Sequence, residues 1–361
     1  ALNGLGVTSV SDAGGGGMEF PDADPYQVIR WLHGEGLLTT RIGYHSFPQT
    51  KGEELSDYQR WTGEIRAGTG DDMLRFVGAG ENLGWASYDY EIFADARPDI
   101  DADAEERLRE VMTVLGEGEW PFRQHITYEE TGDRLLPVYE EVARGAGLTP
   151  GWFIDHVETF SEANLERIAA LGGGIALQNR IQFQAEDFIA NYGAEALKRT
   201  PNFRAILDLG VPVGGGTDAT RVTSFNPWFS IQWMTTGLSR GGLRMYEDAN
   251  LLSREEALRV WTTGSAWFTG DAGRKGAITV GQHGDFTVLD RDYFAVTDAE
   301  IANLRADLTV VGGDVVYGAG AFAPDNGQIG PKVRDLGVGH GEIVAVEHRE
   351  VAVLPHRDRP L

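Results

Sequence analysis

The chain has 361 residues, 42% hydrophobic and 24% charged, with 55 Asp and Glu against 31 Lys and Arg and a net charge of −24. Acid spread along the whole length repels nucleic acid and anionic membranes, and the apolar content excludes a largely disordered chain. With no cysteine there is neither a disulfide framework nor thiolate chemistry, so any metal must be held by histidine and carboxylate.

No apolar run approaches the roughly 18 to 20 residues that a spanning helix needs. The opening ALNGLGVTSVSDAGGGG has neither the basic nor the apolar region of a signal peptide and reads like the middle of a domain. These features predict a cytoplasmic enzyme with a small-molecule substrate and no membrane or nucleic-acid partner. They are also compatible with a homo-oligomer.

Taken in chain order, seven short apolar or β-branched runs alternate with amphipathic stretches. The runs are GVTSVSDA (6–13), LTTRIGYHS (38–46), MLRFVGAGE (73–81), PFRQHI (121–126), GWFIDHVE (151–158), GGIALQN (173–179) and VPVGGGTDA (211–219). Between them PYQVIRWLHGEGL, DAEERLREVMTVLGEG, RLLPVYEEVARGAGL and SEANLERIAALGG carry helical periodicity. In the last, Ser161 is the expected N-cap and Gly172 to Gly174 the stop. Repeated strand, helix, strand units predict a parallel sheet covered by helices. No G-x-G-x-x-G turn opens any of the helices, which favours a (β/α)8 TIM barrel over an open nucleotide-binding sheet.

The pattern changes near residue 270. RKGAITVGQHGDFTVLD (274–290), LTVVGGDVVYG (308–318) and EIVAVEHREVAVL (342–354) read as short alternating strands joined by glycine-containing turns. The expected organisation is therefore an α/β barrel over residues 1–270, then a small β-sandwich with a loose tail, PHRDRPL, over 271–361.

Three strand-like runs carry a polar group at or near their C-terminal ends: His125, His156 and Asp218. In a barrel that rim is where active sites are built. Singly, each has an ordinary explanation, a core histidine with a satisfied ring or an aspartate capping a helix after a glycine-rich turn. Together they offer the imidazole and carboxylate donors that a catalytic divalent metal requires.

The ordered segments RQHITYEETGDRLLPVYEEV, GWFIDHVETFSEANLERIAALGGGIALQNR, GVPVGGGTDATRVTSFNPWFSIQWMTTG, SREEALRVWTTGSAWF and KGAITVGQHGDFTVLDRDYF resemble the amidohydrolase superfamily. Within it they are most similar to amidohydrolase family 3, the YtcJ-like branch. The resemblance covers nearly the whole chain. It implies a metal-dependent hydrolase acting on an amide or related non-peptide C–N bond, with a barrel and a small β-sandwich made from both chain ends. It also implies that His125 and His156 are metal ligands, and that Asp218 both binds metal and carries the proton between water and leaving amine.

Departures from the family pattern shape further expectations. The superfamily's first strand ends in an H-x-H pair of ligands, and no H-x-H occurs in this sequence. The first of the seven runs resembles the family's second strand, so a separate N-terminal polypeptide or segment is expected to supply strand one and the missing ligands. Many relatives have a carboxylated lysine or a glutamate on strand four, where this chain offers Glu81, either as a ligand or as a rim residue. Without that lysine, one ion, zinc, is expected rather than two.

Where some relatives have QHR, this chain has QNR, so Asn179 would shape the pocket without binding metal. Tyr44, His45 and Trp85 are candidates for pocket lining, while His33, His283, His340, His348 and His356 have no assigned role. Two other functions stay open: a metal-poor binding or scaffold protein, and a metal-dependent lyase or decarboxylase on the same barrel.

Overall fold

The computed structural model describes residues 1–14, 26–89, 93, 100–220, 222–319 and 322. The run at 342–354, the tail, and His340, His348 and His356 lie outside the described residues.

Each of the seven runs contains a strand. These are β1 (Ser9–Asp12), β2 (Arg41–Ser46), β3 (Leu74–Ala79), β4 (Arg123–Ile126), β5 (Phe153–His156), β6 (Gly174–Gln178) and β7 (Val213–Gly216). They pair in chain order, β1-β2-β3 and β4-β5-β6-β7, and every pairing is parallel. A parallel bridge between Ala79 and Phe122 joins the two groups. That junction requires Gly78, because a Cβ there would lie 2.0 Å from the Pro121 carbonyl oxygen.

Every crossover contains helix, as parallel pairing demands. The helices in order are α1 (Gln27–Gly34), α2 (Glu54–Glu64), α3 (Ala102–Glu117), α4 (Glu129–Arg144), α5 (Glu162–Ala170), α6 (Arg180–Tyr192), α7 (Ala194–Leu197) and α8 (Phe203–Asp208), with α9 (Pro227–Thr236) following β7. Capping accounts for where several begin. Asp101 accepts from the Ala104 N–H ahead of α3, and Ser161 accepts from the Asn164 N–H ahead of α5, the residue expected to do so. Helix α5 stops before Gly172, whose φ of 75° lies in the left-handed region.

Strands β4, β5 and β6 are buried at every position, as expected of parallel strands covered on both faces. One face packs with the helices into the main core, which includes Trp61, Phe76, Leu108, Tyr139, Ile154 and Leu177. A separate cluster of Phe153, Ala176, Phe268 and Trp267 forms from the alternate strand positions. Beside it, Arg123 makes a two-point ion pair with Asp155 at 2.7 and 2.6 Å, and Gln178 donates to the same carboxylate at 3.0 Å.

After residue 270 the chain forms a three-stranded antiparallel sheet in the order β10-β9-β8, with β8 at Phe286–Leu289, β9 at Ala306–Val311 and β10 at Asp314–Gly318. LTVVGGDVVYG is thus a hairpin, turning at Gly312 and Gly313, both with positive φ. The run at 274–290 contributes only β8, near its end. The other chain end packs here too: Thr309 Oγ1 donates to the Asn3 carbonyl at 2.7 Å, and Thr287 Oγ1 to that of Gly6 at 2.8 Å. Among the described residues, no helix is long and apolar enough to cross a membrane.

Candidate metal centre

Glu81, His125 and His156 converge at the C-terminal ends of β3, β4 and β5. One donor atom from each lies within 4.8 Å of the others. Backbone pairing sets this arrangement: the His125 N–H donates to the Glu81 carbonyl at 2.9 Å, and Ile126 stands opposite His156 in the β4–β5 register. His125 Nδ1 and His156 Nε2 are each 3.8 Å from the same oxygen, Glu81 Oε2.

At 3.8 Å these are not hydrogen bonds. Both nitrogens of the buried His156 ring lack a hydrogen-bond partner. Donors bound tetrahedrally to one zinc at about 2.0 to 2.1 Å stand roughly 3.4 Å apart. The observed spacing and the orphaned imidazole therefore fit a divalent cation between the three side chains.

Local backbone geometry is unusual at the same rim. Among the described residues, non-glycine positive φ occurs at Glu119, His156, Val157 and Asp218, three of which end β5 or follow β7. Such conformations are costly outside glycine and concentrate at functional sites. At His156 the φ of 87° ends the strand and interrupts its regular alternation.

The electrostatics separate the two imidazoles. Burial alone would depress His125, but Asp89 and Glu81 outweigh it and push the ring up to about 10. His156 is held well below its ordinary value by burial and by the nearby cations Arg180 and His125. Burial would raise the Glu81 carboxyl, yet contact with the two histidines holds it well below the carboxylate range. His156 is thus neutral, with one ring nitrogen carrying a lone pair, opposite an ionised carboxylate, the states those two groups need for metal ligation.

Asp218 is not one of the three converging groups. Its carboxylate, one quarter exposed, lies 3.8 Å from Arg180 Nε. Arg180 opens α6 with its side chain fully buried, bonds Glu158 at 2.7 Å and donates to Thr127 Oγ1 at 2.9 Å. Thr127 Oγ1 is in turn 3.2 Å from His125 Nε2, so Arg180 physically links Asp218 to the histidines.

The remaining candidates lie in several settings. Asn179 is buried before α6 and donates to Gln182. His45 is buried at the end of β2, with Nδ1 at 2.8 Å from the Asp12 carbonyl and Nε2 lacking a partner. The Tyr44 ring packs at tilted angles between those of Tyr26 and Phe76. Trp85 is 37% exposed and donates to the Pro48 carbonyl. His33 pairs with Asp71, and His283 lies 3.8 Å from Asp72.

Sequence reasoning missed Asp89, Glu158 and Arg180. Asp89 is an acid between β3 and α3 with no periodic signal to single it out. Arg180 stands inside the QNR segment and was legible there, next to Asn179.

Parallel strands bearing this donor group at their C-terminal ends define a class of metal-site α/β proteins. The family profile described as "Amidohydrolase family" matches residues 1–317, and the chain belongs to that family. It is 29% identical over 167 residues to the putative amidohydrolase YtcJ of Bacillus subtilis, a match spanning 45% of this chain and 31% of the relative. It is 26% identical over 188 residues to the N-substituted formamide deformylase of Arthrobacter pascens, 51% of this chain and 34% of the relative. The matches thus span about a third of each curated relative's length.

Among solved structures, a metal-dependent hydrolase from Pyrococcus horikoshii superposes with a TM-score of 0.64 at 19% identity, covering 82% of this chain and 59% of the other. The zinc complex of atrazine chlorohydrolase from Arthrobacter aurescens superposes at 0.56 and 17% identity, covering 87% and 69%.

Proposed function

We propose that this protein is a metal-dependent hydrolase cleaving a non-peptide C–N bond, with one zinc ion held by Glu81, His125 and His156 and with Asp218 as proton carrier. The observation that carries this reading is the buried His156 ring, whose two nitrogens have no hydrogen-bond partner while Nε2 faces Glu81. A divalent cation in such a site polarises a carbonyl and makes water acidic enough to attack near neutral pH.

The chain's own residues supply the rest. Glu81 balances the charge of the site, and the neutral His156 offers a lone pair. Asp218, partly exposed at the rim, accepts the proton of the attacking water and returns it to the leaving amine.

The domain assignment, a barrel over 1–270 and a sandwich beyond it, belongs to the same proposal. So does a strand from another segment or polypeptide. Among the described residues β1 pairs only with β2 and β7 only with β6, leaving two strand edges where a further strand and further ligands would fit. Purified material that contains this chain alone as a folded, metal-loaded monomer would refute the added strand.

Elemental analysis before and after chelation, alongside a substrate screen, tests the function. N-substituted formamides head the screen because a relative acts on them by name, followed by amides, carbamates and ureas. We expect about one equivalent of zinc per chain, lost together with activity. His156→Ala should lose both. Asp218→Asn should keep zinc and fold while turnover falls about 10²- to 10⁴-fold. Full activity in folded Asp218→Asn would remove it as proton carrier.

A further inference from the structure

Asp89 belongs to no strand and to no motif of the sequence, yet its carboxylate has no solvent exposure and ends against the metal-type group. Its two oxygens accept from the Thr127 N–H at 3.1 and 2.8 Å, and one also accepts from the Tyr128 N–H at 3.1 Å. The other, Oδ1, lies 3.0 Å from His125 Nε2. These two N–H groups stand at the start of α4, so the carboxylate is anchored before it meets the imidazole. Tyr88, its neighbour in sequence, stacks on the His125 ring with centroids 4.3 Å apart and planes 28° apart, which fixes the ring's plane.

We infer that Asp89 is a positioning residue that selects the tautomer of His125, and this rests on the metal reading above. A buried carboxylate has only acceptor oxygens, so the ring nitrogen facing it must carry a proton. Once the ring has given up its second proton to a metal, with Nε2 still protonated toward Asp89, its lone pair sits on Nδ1, the atom directed at Glu81 Oε2. Thr127 Oγ1 lies 3.2 Å from the same Nε2 and accepts from Arg180 at 2.9 Å. A carboxylate behind a ligating imidazole also raises its basicity.

Asp89→Asn discriminates this from plain packing, because it is isosteric and its oxygen still accepts from Thr127 and Tyr128. Its amide nitrogen, placed where Oδ1 was, donates to Nε2 and drives the ring proton to Nδ1, the ligating atom. On the purified full chain, with zinc alone as probe, chelator competition should show affinity weakened about 10- to 100-fold. The urea midpoint of the zinc-free protein should move little.

Nitrogen NMR of the zinc-loaded wild-type rings supplies a readout that needs no variant and that a purely structural role would not set: the His125 proton is expected on Nε2. Unchanged zinc affinity in Asp89→Asn, or a wild-type proton on Nδ1, overturns the inference while leaving the metal reading intact. Failure of the wild type to bind zinc overturns both.

Discussion

Arg180 has no exposed surface, and its guanidinium is bounded by Glu158, Thr127 and Asp218. Burial pushes the Glu158 carboxyl up, against the pull of Arg180, and its Oε2 lacks a hydrogen-bond partner. Truncating the cation to an apolar side chain would leave that acid buried and uncompensated. Arg180→Met is therefore expected to cost about 3 to 5 kcal/mol of stability. Arg180→Met with Glu158→Gln should recover part of it, because the stranded charge is then gone. Denaturant unfolding of both variants, without zinc, checks this; equal loss in the two would show that the charge is not the cause. At this scale the sequence disclosed side chains at strand ends, since a strand's end can be read from its pattern. It could not disclose which of 55 acids are buried against a histidine, because Asp89 reaches His125 only through the chain's path between β3 and α3.

At the scale of elements, one carboxylate ties β3 to the segment that leads into the C-terminal sheet. Asp271 bonds Arg75 of β3 at 2.6 Å and Lys275 at 2.9 Å, and accepts from Thr269 at 2.8 Å. Burial opposes its ionisation, but Arg75 and Lys275 outweigh burial and bring its pKa from 3.8 down to about 2. Because the folded value is the lower one, its stabilisation is complete above the unfolded value and disappears as pH falls toward the folded one. Asp271→Asn should thus cost on the order of 2 kcal/mol near neutral pH. About half that gap should remain at pH 3, read from urea midpoints at the two pH values. A gap that widens on acidification would contradict the assignment.

The elements themselves were largely readable. All seven parallel strands fall inside the apolar or β-branched runs. The run at 274–290 misled, because its alternation is shared by turn residues, and only Phe286–Leu289 finds a partner, in β9.

Across the whole molecule, the C-terminal sheet is fastened to the parallel unit at a buried point. Arg41, the first residue of β2, bonds Asp285 through two nitrogens at 2.6 and 2.9 Å, and both side chains are less than a tenth exposed. Asp285 also accepts from the Gly312 N–H at 2.7 Å, so the same carboxylate holds the β9–β10 turn. No local pattern could announce this pair, whose members are 244 residues apart and gain meaning only when the two sheets meet.

Removing one partner leaves a buried charge, so Arg41→Met is expected to cost about 3 to 5 kcal/mol. Replacing both, Arg41→Met with Asp285→Leu, should cost less than the sum of the two single changes, because neither charge is then stranded. The Gly312 N–H, which loses its acceptor, should add little to the residual loss because it is exposed and turns to water. Hydrogen exchange gives the local reading. In Arg41→Met, protection should fall first in β8, β9 and β10, while β4 to β6 keep theirs, because the fastening lies at the C-terminal sheet and away from the main core. Uniform loss of protection across both sheets would mean that they unfold as one unit and that this ion pair does not govern their separation.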